Sequence, residues 1–248
     1  MVYAIIPAAG IGSRMQSSIP KQYLPLGNGT VLLQSLRALL AVPAVDTIMV
    51  ALHPQDQWWP GTWGQLTPSE QKRINTCTGG DERWQSVLAA LSVLATIAQP
   101  DAAVMVHDAV RPCVQVTELQ QLMQTYNTQS LQEGTPGALL AMPVIDTLKR
   151  ADDTQRVQAT VDRQQMWAAC TPQMFPLAAL QQALIHASQS GVLITDESSA
   201  MELAGVQPAL VRCSRDNIKI TYPGDLELAS WILSRCQSAR DQDRSNTL

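Results

Sequence analysis

Residues 2–26 read VYAIIPAAGIGSRMQSSIPKQYLPL, and this stretch decides the fold class. The apolar run at its start is typical of a buried strand, and a glycine-containing loop follows it. Gly10 and Gly12 allow the backbone to turn sharply and to present N–H groups, while Arg14 and Lys21 add positive charge. The stretch therefore predicts a strand followed by a loop that binds a phosphate-rich ligand.

The two best-known phosphate loops do not match this stretch. A Walker A loop requires a Gly-Lys-Ser/Thr ending, which is missing here. The dinucleotide fingerprint requires a third glycine, where this chain has Met15, and an acidic residue about 20 positions further on, which is also missing. These differences argue against a dinucleotide-binding oxidoreductase.

The rest of the chain alternates short apolar runs with helical patterns, ending in a helix expected at Asp225–Ser238. This alternation predicts an α/β fold with a doubly wound, mostly parallel sheet, in which ligands bind beyond the carboxyl ends of the strands. Two strand-like pieces, Thr147–Arg150 and Arg156–Val161, interrupt the pattern and predict a protruding β-hairpin arm. Because an exposed strand edge needs a partner, the arm indicates a homodimer.

Composition limits the remaining possibilities. With 46% apolar and 15% charged residues among 248, the chain is expected to form one domain over residues 1–239, followed by a disordered tail at 240–248. A net charge of −4 gives no general attraction to nucleic acid. Five widely spaced cysteines without a CxxC pair are typical of free thiols in the cytoplasm. Since no apolar run reaches about 18 residues, no membrane span is expected.

Several further motifs give the glycine loop a specific context. They are PAAGIGSRM, PKQYLPL, TGGDERWQSV (78–87), VHDAVRPCV (106–114), PVIDTLKR (143–150), TVDRQQMWAACTPQMF (160–175), TDESSAMELAG (195–205) and NIKITYPGDLELA (217–229). Together they resemble the 2-C-methyl-D-erythritol 4-phosphate cytidylyltransferase family, and the resemblance runs to about Ala229. The family's HDAARPF is HDAVRPC here, with Val110 and Cys113, a difference that we interpret as local repacking.

The resemblance implies a Rossmann-like nucleotidyltransferase fold and transfer of CMP from CTP to methylerythritol 4-phosphate with release of diphosphate. It implies catalytic roles for four cationic residues, Arg14, Lys21, Arg163 and Lys219. It places CTP against Ala8, Ala9, Gly10, Gly12, Gly79, Asp81, Arg83 and Ser86. It places the sugar phosphate against Asp108, Arg111, Thr147, Arg163 and Thr195, with Thr147 and Arg163 reaching from the arm into the neighbouring subunit.

The chemistry agrees with these residue types. The attacking phosphate is already an anion at neutral pH, since the second pKa of a phosphate monoester is about 6, so no general base is required. The main need is for fixed cations that neutralise the charge of the transition state. Mg²⁺ is expected as cofactor to screen the triphosphate, with Asp108 as the candidate ligand and Asp225 as a second.

Two alternatives stay open at this point. A ribitol 5-phosphate cytidylyltransferase shares the glycine loop, PKQYLPL and NIKIT, but PVIDTLKR and TDESSAMELAG favour the methylerythritol acceptor. A CTP-binding regulator without catalysis would not need all four catalytic cations. Two further interpretations matter below: NIKIT as a strand-like piece, and Trp58, Trp59 and Trp63 as packing residues that do not stack on cytosine.

Overall fold

The computed structural model describes residues 1–10, 19–131 and 134–245. Within them, seven strands form the central sheet and four short strands form two small antiparallel sheets. The central strands are β1 (Val2–Pro7), β4 (Val45–Leu52), β5 (Ile74–Thr78), β6 (Ala103–Val106), β7 (Ala138–Pro143), β10 (Trp167–Pro176) and β11 (Ala209–Arg212). The small sheets are β2 (Pro25–Leu26) with β3 (Gly29–Thr30), and β8 (Leu148–Ala151) with β9 (Val157–Val161).

The strand order of the central sheet is β11-β7-β10-β6-β1-β4-β5. All neighbouring pairs are parallel except those of β10, which runs antiparallel to β6 and β7. This confirms the mostly parallel sheet. The chain moves outward from β1 through β4 to β5 and then returns to the other side of β1 at β6, so the winding direction reverses between β1 and β6. A crevice is expected beyond the carboxyl ends of strands at such a reversal.

The helices cover both faces of the sheet, as the doubly wound prediction requires. In the described residues they are α1 (Val31–Leu40), α2 (Trp59–Trp63), α3 (Pro68–Gln71), α4 (Arg83–Leu94), α5 (Val116–Gln129), α6 (Leu177–Gln189), α7 (Glu197–Leu203) and α8 (Gly224–Ser245). Alternating side chains of β1 point to opposite faces: Ile6 packs in the apolar cluster under α1 and α5, and Ile5 in the cluster under α4 and α6. The two buried clusters fix the sheet and its strand ends.

Three sequence-based expectations differ from the structure. β10 was not predicted, because Thr171 and Pro172 interrupt its apolar pattern. NIKIT belongs to no strand, so the interpretation of it as a strand-like piece was wrong: Ile220 N–H donates to the Val110 carbonyl at 2.9 Å outside any ladder. The last helix continues to Ser245, through most of the segment expected as a tail, and residues 246–248 lie outside the described part.

The predicted hairpin is confirmed as β8 and β9, a two-stranded sheet separate from the central one. Its turn is closed by Asp152, whose carboxylate accepts hydrogen bonds from the backbone N–H groups of Thr154 and Arg156, each at 2.9 Å. Both strands are largely exposed. Across the described residues, we find no helix with the length and apolar character needed to cross a bilayer.

Candidate active site

The crevice beyond β1 and β6 is the candidate site. The segment after β1 supplies Ala8, Ala9 and Gly10, and the segment after β6 supplies Asp108. A cavity of about 160 Å³ opens there. It is lined by Pro7, Ala8, Ala9, Gly10, Lys21, Gln22, Gly80, Asp81, Glu82, Arg83, Ser86, Asp108, Ala109, Val110 and Lys219. Most of the residues expected to bind CTP meet here, whereas Gly12 and Arg14 lie outside the described residues.

Gln22 holds the start of the glycine loop. Its buried amide nitrogen donates to the carbonyl oxygens of Ala8 at 2.7 Å and Gly10 at 2.9 Å. The Lys21–Tyr23 segment forms a 3₁₀ turn, which aims Gln22 and Lys21 at this loop. Sequence reasoning missed the role of Gln22, although its place in the PKQ element, next to a predicted catalytic lysine, was a signal for it.

Lys21 contacts the segment that carries Lys219. The Lys21 Nζ donates to the Ile220 carbonyl oxygen at 3.1 Å, joining residues 199 positions apart in the chain. Ile220 is buried in a third apolar cluster, which fixes that carbonyl. Both lysines line the cavity, so two cations predicted from distant motifs occupy one cleft.

The turn at Gly79 packs closely against Ala9, in the segment that follows β1. A Cβ on Gly79 would lie 2.7 Å from the Ala9 Cβ and 2.7 Å from the Ser86 Oγ, so glycine is required there. The Gly79 N–H donates to the Leu52 carbonyl at 2.7 Å, and the Gly80 N–H donates to the Ser86 hydroxyl at 3.1 Å. The turn before α4 is thereby fixed against the loop after β1.

Asp108 is the electrostatic centre of the crevice. Its Oδ1 accepts a hydrogen bond from Arg83 Nε at 2.9 Å, and its Oδ2 lies 2.9 Å from Lys219 Nζ and 3.5 Å from Arg111 Nε. Burial alone would raise the pKa of Asp108, but attraction by Arg83 and Lys219 outweighs burial and holds that pKa well below its usual range. Asp108 is therefore ionised at neutral pH and orients three cations.

Arg83 is engaged at both ends of its guanidinium. While Nε contacts Asp108, the two terminal nitrogens donate to the Glu197 carboxylate at 2.6 and 3.0 Å. Glu197 is fully buried at the start of α7. Burial opposes the charge on Arg83, but the attraction of Glu197 and Asp108 prevails and raises its pKa. Sequence reasoning missed Glu197, whose only signal was its place in the TDESSAMELAG motif.

His107 is buried and has a structural environment. Its Nε2 lies 3.0 Å from the Arg111 carbonyl oxygen, an acceptor, so Nε2 carries the proton and Nδ1 accepts from the Thr171 hydroxyl at 3.1 Å. That hydroxyl in turn accepts the Asp108 N–H at 3.0 Å. Burial lowers the pKa of His107 to about 4, so the ring is neutral at pH 7. It fixes the backbone on both sides of Asp108.

A second polar cavity of about 260 Å³ adjoins the first and shares Arg83, Asp108 and Lys219 with it. Its other lining residues are Arg111, Ala169, Cys170, Thr171, Gln173, Thr195 and Asp196. Arg111 is held by donating to the Asn217 carbonyl oxygen at 2.6 Å. Thr195 does not cap α7, because Asp196 is the N-cap and accepts the Ser199 N–H at 3.0 Å. Three predicted sugar-phosphate residues, Asp108, Arg111 and Thr195, therefore share one cavity.

The two predicted arm residues lie elsewhere. Thr147 and Arg163 are exposed at the base of the β8–β9 hairpin, and neither belongs to the lining of the two cavities of this chain. The Arg163 guanidinium donates to the Ile145 carbonyl oxygen. This chain alone does not bring them to the crevice.

Asp225, the second metal candidate, closes a turn. Its Oδ2 accepts the N–H groups of Thr221 and Tyr222, each at 2.8 Å, where α8 begins. Within the described residues, no three metal-binding side chains of the His, Cys, Asp or Glu type form a cluster. A protein-only metal cage is thus not part of this region.

The tryptophan-rich segment packs on the core, as expected. Trp58, Trp59 and Trp63 contact the apolar cluster under α1, and Trp58 stacks on Tyr23 with ring centroids 5.9 Å apart. The Tyr23 hydroxyl donates to Asp56 at 2.7 Å. These contacts support the 3₁₀ turn that carries Lys21.

Val110 and Cys113 are buried in the third apolar cluster with Ile220. Burial raises the pKa of the Cys113 thiol to about 12, so it is protonated at neutral pH. Both residues pack, which agrees with local repacking.

Comparisons with known proteins agree with this geometry. A family model described as "IspD: 2-C-methyl-D-erythritol 4-phosphate cytidylyltransferase" matches residues 2–235. The protein of that name from Shewanella denitrificans is 48% identical over 231 residues, covering 93% of this chain and 90% of the relative. The one from Hahella chejuensis is 44% identical over 235 residues, covering 94% and 93%.

Solved structures give the same result. A crystal structure of 4-diphosphocytidyl-2C-methyl-D-erythritol synthase superposes with a TM-score of 0.78 at 32% identity, covering 94% of this chain and 98% of that one. The Francisella tularensis 2-C-methyl-D-erythritol 4-phosphate cytidylyltransferase superposes with a TM-score of 0.76 at 36% identity, covering 93% and 99%.

Proposed function

Because this chain belongs to the 2-C-methyl-D-erythritol 4-phosphate cytidylyltransferase family, we propose that the cations around Asp108 carry out its reaction. The protein is a nucleotidyltransferase that transfers CMP from CTP to 2-C-methyl-D-erythritol 4-phosphate. The products are 4-diphosphocytidyl-2-C-methyl-D-erythritol and diphosphate, in the non-mevalonate synthesis of isoprenoid precursors. The names of the relatives favour this acceptor over ribitol 5-phosphate, and catalysis over regulation alone.

CTP occupies the first cavity. The backbone of residues 8–10 and the turn at residues 80–81 form its two walls, and the tight contact of Gly79 with Ala9 fixes the turn against the loop. Lys21 lines this cavity and contacts the triphosphate, a role that the family resemblance also gives to Arg14. Arg83 and Ser86 complete this part of the site.

The sugar phosphate occupies the second cavity. Arg111 and Lys219 face its phosphate, and Thr195 and Asp108 face its hydroxyl groups. Lys219 borders both cavities, so it is the cation that contacts both reacting phosphates. Its side chain is 44% exposed and is held to Asp108 from one side only, which lets it turn toward a ligand.

The transfer is an in-line displacement at the α-phosphorus of CTP. A phosphate oxygen of the acceptor forms the new P–O bond, and the bond to the leaving diphosphate breaks. The acceptor is already a dianion near neutral pH, so no side chain needs to remove a proton. The neutral, buried His107 is consistent with this scheme. Lys21, Lys219 and Arg14 stabilise the charge that builds on the transferring phosphoryl group.

A divalent cation, Mg²⁺, is the cofactor in this proposal. When bound, it would screen the charge of the triphosphate, and Mg²⁺ commonly uses only one or two carboxylates together with water. The donor set at Asp108 fits such a limited role, because Asp108 lines both cavities while its two oxygens already contact Arg83, Lys219 and Arg111. Asp108 would therefore hold the ion through at most one oxygen.

A homodimer completes the site through the arm. Thr147 and Arg163 sit on an exposed hairpin whose base also exposes Ile145 and Trp167, a surface suited to cover by a second copy. In this arrangement the guanidinium of Arg163 grips the sugar phosphate in the neighbouring subunit. We place the enzyme in the cytoplasm, where its five free cysteines stay reduced. No nucleic acid or membrane partner is part of this proposal.

The observation that carries the proposal is the convergence of Lys21 and Lys219 on one cleft. Its test is diphosphate release by the purified protein with CTP and Mg²⁺, offering methylerythritol 4-phosphate and ribitol 5-phosphate in parallel. Release should require the methylerythritol acceptor and should be abolished in Lys21→Ala, while Lys72→Ala, a change of an exposed lysine away from the site, should be silent. Release only with ribitol phosphate would refute the acceptor.

A further inference from the structure

Glu197 is a buried carboxylate that touches neither cavity. It is 0% exposed, and its two oxygens accept hydrogen bonds from the terminal nitrogens of Arg83 at 2.6 and 3.0 Å. It is not among the residues that line the two cavities, so it does not contact a ligand bound in them. An ionised carboxylate at such depth requires a cationic partner, because its desolvation is otherwise very costly.

The place of Glu197 is set by Gln173, a buried residue of β10. The side-chain oxygen of Gln173 accepts the Ser198 N–H at 2.7 Å, and its amide nitrogen donates to Asp196 Oδ2 at 2.7 Å. The two neighbours of Glu197 are therefore both tied to the central sheet. This makes Glu197 a fixed point from which Arg83 is oriented.

Glu197 begins a row of four side chains with alternating charge that runs toward the cleft. The other members are Arg83, Asp108 and Lys219. The bidentate pair fixes the plane of the Arg83 guanidinium, and its Nε then meets Asp108 Oδ1 at 2.9 Å. Asp108 Oδ2 holds Lys219 Nζ at 2.9 Å. The row runs from a fully buried anion to a cation that is 44% exposed, and every member except Glu197 lines both cavities.

We propose that Glu197 is a positioning residue for catalysis, which acts through Arg83 and Asp108 to hold Lys219 where the two phosphates meet. The inference rests on the proposed function of the same site. Without the Glu197 charge, Arg83 turns toward Asp108 as its sole carboxylate partner and competes with Lys219 and Arg111 for that carboxylate. Lys219 then loses its fixed position, while the backbone walls of the first cavity at residues 8–10 and 80–81 are unchanged.

The first test is Glu197→Gln, which keeps the size of the side chain and removes its charge. The turnover number should fall at least tenfold, with the KM for CTP changed less than threefold. Glu202→Gln is the matched control, because Glu202 lies on the same helix and is exposed. Wild-type turnover in Glu197→Gln would overturn the proposal.

The second test separates positioning from simple charge balance. The double variant Arg83→Met/Glu197→Gln removes both buried charges at similar volume and should regain the thermal stability that the single variant loses. If Glu197 acts through Arg83, the double variant has the same turnover as Arg83→Met alone. Recovery of turnover along with stability would refute the positioning role. The double variant also carries the test if Glu197→Gln alone does not fold.

A third readout does not depend on activity. The NMR resonance of Arg83 Nε–H in the ligand-free protein reports its hydrogen bond to Asp108, and it should shift in Glu197→Gln but not in Glu202→Gln. An unchanged resonance would overturn the proposal. If the wild-type enzyme releases no diphosphate from either acceptor, the proposed function fails, while this resonance still decides the positioning role.

Discussion

The ammonium group of Lys21 donates to the carbonyl oxygen of Ile220, 199 positions further along the chain, at 3.1 Å. The contact places the lysine of the first loop beside the segment that carries Lys219. Because the Ile220 side chain is buried and its N–H is bonded to the Val110 carbonyl at 2.9 Å, the accepting carbonyl is fixed on both sides. The two lysines that we propose as catalytic are thus positioned relative to each other before any ligand binds.

Removal of Lys219 should affect turnover far more than stability. For Lys219→Ala we expect turnover to fall on the order of 10²–10³-fold, as for other single transition-state donors. The half-exposed Lys219–Asp108 pair contributes little to folding, since Arg83 and Arg111 still neutralise Asp108. Steady-state diphosphate release and urea unfolding measure the two effects. A large loss of stability with normal turnover would contradict this assignment.

Truncation of Gln22 should loosen the glycine loop. Gln22→Ala leaves the carbonyl oxygens of Ala8 and Gly10 without their shared donor, so we expect a loss of about 1–3 kcal/mol in the free energy of unfolding. The KM for CTP should rise because the loop start is no longer fixed. Gln65→Ala serves as the comparison, since the Gln65 amide donates only to the Gly61 carbonyl at the surface. Equal effects of both changes would argue against the role of Gln22.

A methyl group at Gly79 should disturb the CTP wall. In Gly79→Ala the new Cβ would meet the Ala9 Cβ at 2.7 Å, and that atom cannot move without its backbone. We expect weaker CTP binding in calorimetric titration together with a destabilisation of about 1–3 kcal/mol. Gly61→Ala is the control, because nothing lies within 4 Å of its added Cβ. Unchanged CTP affinity in Gly79→Ala would mean that this wall does not bind the nucleotide.

Protonation of His107 should lower the free energy of unfolding as the pH falls. Its pKa is about 4 in the folded protein and about 6.5 in the unfolded chain, so the unfolded state binds more protons between these values. The stability that neutral His107 contributes is then fully present above pH 6.5. This contribution is lost as the pH falls toward 4, at about 1 kcal/mol per pH unit. His107→Gln should flatten this part of the urea-unfolding profile, and His186→Gln, at an exposed site, should not. A profile unchanged by His107→Gln would contradict the depressed pKa.

A variant changed in the hairpin arm and a variant changed in the crevice should restore activity when they form mixed dimers. Arg163→Ala and Lys219→Ala should each be nearly inactive as homodimers. When the two are unfolded together and refolded, heterodimers contain one intact site, and random pairing gives about a quarter of wild-type activity. If Arg163 serves its own subunit, both sites of the heterodimer are defective and no activity returns.

The sequence predicted the parts of the site that lie within short motifs. The glycine loop, Lys21, Asp108 and Lys219 each belong to a stretch whose residue types match a known pattern. Glu197 could not be found in this way, because its partner Arg83 is 114 positions away and only the fold brings them together. The same holds for the contact of Lys21 with Ile220.

The parallel strands of the central sheet were predicted from their hydrophobic pattern. The prediction failed at two segments whose pattern does not match their structure. β10 is buried on both sides between β6 and β7, so it lacks the alternation of a half-exposed strand, and Pro172 falls within it. NIKIT has the alternation of a strand, yet it belongs to no ladder, and the backbone of Ile220 bonds to the Val110 carbonyl and to the Lys21 side chain. Its alternation reflects a buried Ile220 beside Lys219, which lines the cleft.

The contact between Lys21 and Ile220 also sets an order of events during synthesis. At about 5–20 residues per second, the 199 residues that separate the two lysine-bearing segments take on the order of 10–40 seconds to be translated. A nascent chain that has emerged only as far as β11 can already form its central sheet, but its cleft lacks Lys219. The pair of lysines is therefore complete only after translation has passed residue 219.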